Sequence, residues 1–113
     1  MKFFQPLLMG SAMDRNSLPG IIKNMRKKSH IRLDKNIRFI FTSPLKGELL
    51  YVISQAEYVR NRELYDNSVL IGVALSKDEA YEMILFLFAE AYSAIDNNVR
   101  DYIKKRTGDE VIV

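Results

Sequence analysis

The chain has 113 residues, which is one domain by length, and its 48% hydrophobic and 27% charged content is ordinary for a globular protein. It contains no cysteine and one histidine, which excludes disulfides, thiolate metal sites, iron–sulfur clusters, a cysteine nucleophile and a three-histidine metal site. The net charge of +3 is lopsided: Arg15 to Arg38 carries eight basic residues against Asp34 alone, while residues 39–113 hold eight basic and twelve acidic side chains.

Residues 1–14, MKFFQPLLMGSAMD, resemble a secretory leader in composition only. Gln5 and Pro6 break the apolar run short of the roughly 7–15 unbroken residues such a core needs. The longest apolar run elsewhere, Met83 to Ala89, falls far short of the about 20 residues that span a bilayer. The expectation is a cytoplasmic protein with no transmembrane segment.

Residues 17–28, SLPGIIKNMRKK, predict a short helix with Ser17 as its cap and Pro19 in its first turn, where a missing N–H costs nothing. Leu18, Ile21, Ile22 and Met25 fall on one apolar face, and Lys23, Arg26 and Lys27 turn away from it. In residues 30–42, HIRLDKNIRFIFT, the period changes to two. Asp34-Lys35-Asn36 supplies turn chemistry, so a β-hairpin is expected that places Arg32 opposite Arg38.

Residues 48–60 fit both a helical stripe (Leu49, Val52, Ile53, Ala56) and a strand (Tyr51, Ile53, Val59). β-branched and aromatic content favours the strand. If the segment were helical, the strands flanking it would form a parallel βαβ pair. Asn61 to Asn67 reads as a polar loop. Ser68 to Leu75, almost wholly apolar, reads as a central strand buried on both faces.

Ser76 and Glu79 form a capping-box signature that opens a helix running to Arg106, with Gly108 placed to cap its end and Asp96-Asn97-Asn98 as a point of kinking or fraying. From Ala80 to Ile95, thirteen of sixteen residues are apolar. On a helical wheel eleven of them cover an arc of about 200°, where packing on one sheet face needs little over 100°, and Phe86 stands in the middle of the polar stripe opposite. Two arrangements satisfy that excess. The helix is sandwiched between the sheet and the N-terminal helix, or part of the arc, with Leu85, Phe86 and Tyr92, is the seam of a two-fold homodimer.

The expected fold is therefore α+β, a single domain over 1–113. A small antiparallel or mixed sheet of about three to four strands packs against a long C-terminal helix and a short N-terminal one. No catalytic, cofactor or metal motif is present. The five glycines form no phosphate loop, Asp78, Glu79 and Glu82 read as first-turn dipole chemistry, and His30 reads as a surface residue among cations. The turn Ser43 to Glu48 has the residues of an anion-binding turn but reads as a turn.

What rises above background is the basic segment. Lys23, Arg26, Lys27, Lys28, Arg32, Lys35 and Arg38 predict contact with an anionic partner, nucleic-acid backbone first and an acidic protein surface equally served by the same charges. Peripheral membrane contact ranks third, because the basic helix has few apolar anchors. The function expected is that of a small non-enzymatic binding or regulatory protein. The alternatives are a homodimeric adaptor acting through the long helix without nucleic acid, and an enzyme whose site is dispersed in sequence.

Overall fold

The apolar run that ends before the capping box is a central strand, and the rest of the molecule is arranged around it. The computed structural model describes residues 1–43, 49–94 and 98–112. Its elements in chain order are β1 (Lys2–Met9), a 3-10 turn (Arg15–Ser17), α1 (Leu18–Met25), β2 (Arg38–Thr42), β3 (Leu50–Ser54), α2 (Gln55–Arg60), α3 (Arg62–Tyr65), β4 (Val69–Ala74), α4 (Lys77–Ser93), α5 (Val99–Lys105) and β5 (Thr107–Gly108). The sheet is mixed, in the order β3-β2-β4-β1-β5. β4 pairs parallel to β1 and antiparallel to β2, and β2 pairs antiparallel to β3.

The sheet has an apolar core on each face. On one, Phe3, Leu7, Phe39, Phe41, Leu70 and Val73 pack against Leu18, Ile22 and Met25 of α1 and against Tyr58 and Tyr65 of α2 and α3. On the other, Phe4, Ile40, Ile71 and Ala74 pack against Ala80, Met83, Leu87 and Ala91 of α4 and Tyr102 and Ile103 of α5. Alternation in β2 explains the split: Phe39 and Phe41 face one helical layer and Ile40 the other, all fully buried. The Phe41 ring stacks on Tyr58 at 5.7 Å, and the Tyr58 hydroxyl donates to Asp66 Oδ1 at 2.6 Å, which anchors the α2–α3 pair to the sheet.

The α+β class is as expected, but several elements differ. Residues 2–9, given no element by the sequence, form an interior strand of the sheet. Its pairing with β4 jumps register between Phe3 and Leu8, and over that stretch the C-terminal segment serves its backbone, with Gln5 N donating to Arg106 O and Leu7 N to Ile112 O. The predicted hairpin of 30–42 keeps only its second strand. Of residues 48–60, those described hold both competing readings in succession, a strand over Leu50–Ser54 and then a helix whose N-terminus the Ser54 side chain caps by accepting from Glu57 N. With β2 and β4 antiparallel neighbours, the flanking parallel βαβ pair does not form. Part of the polar loop is the short helix α3.

The long helix is two. α4 ends at Ser93, and α5 begins afresh where Asn98 Oδ1 accepts from Arg100 N and Asp101 N; the longest helix is thus not C-terminal. Asp96 and Asn97 lie outside the described residues. Gly108 pairs with Phe3 in β5 instead of capping a helix, and the cap position falls to Arg106. Ser17 makes no side-chain cap; it closes a 3-10 turn capped by Asp14. No described helix is long and apolar enough to cross a membrane.

Candidate anionic-partner interface

The basic segment is held in place by amide side chains. Asn24 of α1 donates to Arg32 O at 2.8 Å and accepts from Arg32 N at 3.1 Å, as a neighbouring strand would. Gln55, almost fully buried at the start of α2, donates to the same carbonyl at 2.8 Å and accepts from Asp34 N at 2.9 Å. These bonds occupy the backbone groups that a hairpin partner needs. In addition, His30 takes a left-handed φ of 57°, which breaks the extended path. The predicted hairpin is absent for these reasons.

A turn follows in which Asp34 Oδ1 accepts from Asn36 N at 2.9 Å. Arg38 closes it by donating to Lys35 O at 2.6 Å and Ile37 O at 3.1 Å. In the sheet Arg38 lies opposite Ser54 and Ala74, so the expected repulsion across a strand pair with Arg32 does not exist. The end of α1 is fixed from a third direction. Arg62 of α3 donates to Met25 O at 3.0 Å and Lys27 O at 2.6 Å, satisfying carbonyls that a helix end leaves open.

These constraints leave a groove of about 710 Å³ between α1 and the 32–37 segment, with Lys27, Arg32 and Lys35 on its lining. Asp34 is the one acidic side chain among its described lining residues, and it is already engaged by the turn. The structure therefore gathers three of the seven predicted cations around one concave surface. Lys23 and Lys28 are exposed and do not line it. Arg26 lies with its guanidinium 4.7 Å over the Phe3 ring, and Arg38 is bound to its own turn. Arg26 stays exposed beside that ring, and Arg38 is half-buried.

Three residues that hold the surface, Asn24, Gln55 and Arg62, were not visible as such in the sequence. Gln55 had a signal: it stands two residues after the buried Ile53, on the face where the strand period calls for an apolar side chain. A polar residue there must find buried partners. His30 is exposed, and its ring lies 3.2 Å from the hydroxyl of its neighbour Ser29. Among the described residues no group of three or more acidic or histidine side chains is arranged to hold a metal. The turn from Pro44 to Glu48 lies outside the described residues.

The self-association residues do not form one patch. α4 buries a stripe of one residue per turn, Ala80, Met83, Leu87 and Ala91. Tyr81, Leu85 and Tyr92 are exposed by 50%, 68% and 66%, on the flank where Tyr81 and Ile84 adjoin Leu50 and Val52 of the edge strand β3. Phe86, 56% exposed, follows Leu85 by about 100° of helical rotation and lies instead over Leu8 and Met9. Because α1 packs on the opposite sheet face, the sandwich of α4 between sheet and α1 is not formed.

Comparison with protein-family models, with curated proteins and with solved structures finds no match to this chain.

Proposed function

We propose that this is a small binding protein that docks an anionic partner, with nucleic-acid backbone favoured, on the basic groove beside α1. The observation that supports this reading is the convergence of Lys27, Arg32 and Lys35 on a groove whose walls are fixed by Asn24, Gln55 and Arg62. Phosphate contacts require basic side chains on an ordered surface and nothing further, and preset geometry lowers the entropic cost of binding. No base-reading motif accompanies the groove, so the binding is independent of sequence. The test is a salt titration of affinity for generic single- and double-stranded nucleic acid. The Lys27→Gln/Arg32→Gln/Lys35→Gln variant should bind more weakly, and its slope of log affinity against log salt should flatten by roughly 0.7–0.9 for each phosphate it no longer neutralises. Binding with the same slope in both proteins would place the interface elsewhere.

A second reading has its own support. The apolar flank of Tyr81, Leu85 and Tyr92 runs beside an edge strand, Leu50 to Ser54, with no charge or proline in it, and such edges pair readily with a second copy. That reading is a homodimer built through α4 and β3.

A further inference from the structure

A second cationic cavity lies at the other end of β2 from the groove and on the opposite face of the sheet. Its volume is about 530 Å³, within the range that holds a small organic ligand. Lys2 from the start of β1 meets Arg100 and Lys104 of α5 there, and no carboxylate is among the described residues that line it. Arg100 and Lys104 stand one helical turn apart, where like charges oppose helix formation. Folding gains nothing from gathering these three exposed cations on one hollow, and an anion within it offsets their repulsion. Thr42 adds a directional donor. Its oxygen accepts from Val69 N at 2.9 Å, which leaves the hydroxyl proton to give to a ligand oxygen. Val69 and Ile103, both in the second apolar core, supply an apolar wall beside the charges.

We propose that this cavity binds a small phosphate monoester, its phosphate held by Lys2, Arg100, Lys104 and the Thr42 hydroxyl and its apolar body against Val69 and Ile103. A phosphate dianion matches several cations at once and accepts from both charged and hydroxyl donors. The site is separate from the groove beside α1: Ile37 lines the groove and Thr42 the cavity, about 16 Å of extended strand apart. Phosphate binding here does not depend on nucleic-acid binding there.

The test is titration calorimetry at low ionic strength with phenyl phosphate, alongside inorganic phosphate and benzyl alcohol, which each carry half of its chemistry. Phenyl phosphate should bind saturably at a single site and more tightly than inorganic phosphate, and benzyl alcohol should give no binding heat. Arg100→Gln/Lys104→Gln should weaken phenyl phosphate at least about tenfold with an unchanged circular dichroism spectrum. Should that variant unfold, Lys2→Gln alone should still weaken binding severalfold. The groove variant Lys27→Gln/Arg32→Gln/Lys35→Gln should bind phenyl phosphate as the wild type does. No saturable binding, equal affinity for inorganic phosphate, unchanged affinity in the α5 and Lys2 variants, or equal weakening by the groove variant would each overturn the proposal.

Discussion

The buried carboxylate of Glu79 joins three parts of the chain. Its backbone N–H donates to Ser76 Oγ at 3.1 Å, the half of the capping box that the sequence predicts. The carboxylate does not return to Ser76. Oε1 accepts from Leu75 N at 3.1 Å and Oε2 from Ala12 N at 3.2 Å, which ties the end of β4 to the turn after β1. Gly10 leaves room for it, since a Cβ at that position would overlap the carboxyl group. Ser76→Ala should therefore cost about 0.5–2 kcal/mol in urea denaturation. Gly10→Ala and Glu79→Ala should each cost about 1–3 kcal/mol, the first by overpacking and the second by leaving the partly buried N–H groups of Leu75 and Ala12 without their acceptor. The double variant should cost less than their sum, because removing the carboxylate frees the space that the added methyl needs; additive costs would contradict this geometry. Tyr58 carries a pH dependence. Burial, then the hydrogen bond to Asp66, raises its phenol well above the usual value of 10.0. The unfolded chain thus releases this proton first as the pH rises, and stability present below pH 10 should fall above it. Tyr58→Phe should flatten that alkaline loss in unfolding curves, and a slope unchanged from wild type would show that the phenol is not its source.

At the scale of elements, α4 shows what periodicity does and does not reveal. The wheel correctly marked an apolar arc too wide for one sheet face, yet it could not say which part was left outside. That depended on α1 crossing to the other face of the sheet, a tertiary choice with no local signal. The strand 69–74 was legible because both its faces are buried, and α1 because its apolar residues keep a helical period. β1 was not, since Gln5 and Pro6 break its alternation at the register jump, where the C-terminal segment replaces strand pairing. The 30–42 hairpin misled for a related reason: its first half alternates correctly, but Asn24 and Gln55 provide its hydrogen bonds. If α4 and β3 form a dimer seam, Leu85→Glu should yield a folded monomer by sedimentation, since Leu85 is exposed within the protomer. Phe86→Glu, on the other flank, should leave association intact. A wild type that is monomeric at high micromolar concentration would exclude the seam.

At the scale of the molecule, cations gather at two separate places, the groove beside α1 and the cavity beside α5. The excess of cations between Arg15 and Arg38 was evident from counting, but the division of labour among them was not. Arg26 lies over the Phe3 ring and Arg38 bonds to its own turn, whereas Lys27, Arg32 and Lys35 line one groove held by partners from α1, α2 and α3. The groove beside α1 is the centre of the proposed function, and its occupancy can be mapped directly. The measurement is a titration of isotope-labelled protein with a generic single-stranded oligonucleotide at low salt, followed by backbone amide shifts. Saturable shifts should concentrate in residues 17–37 and around Gln55, reverse on adding salt and vanish in the Lys27→Gln/Arg32→Gln/Lys35→Gln variant. Absence of shifts, or shifts centred on α4 or α5 with the groove unaffected, would contradict a nucleic-acid surface beside α1.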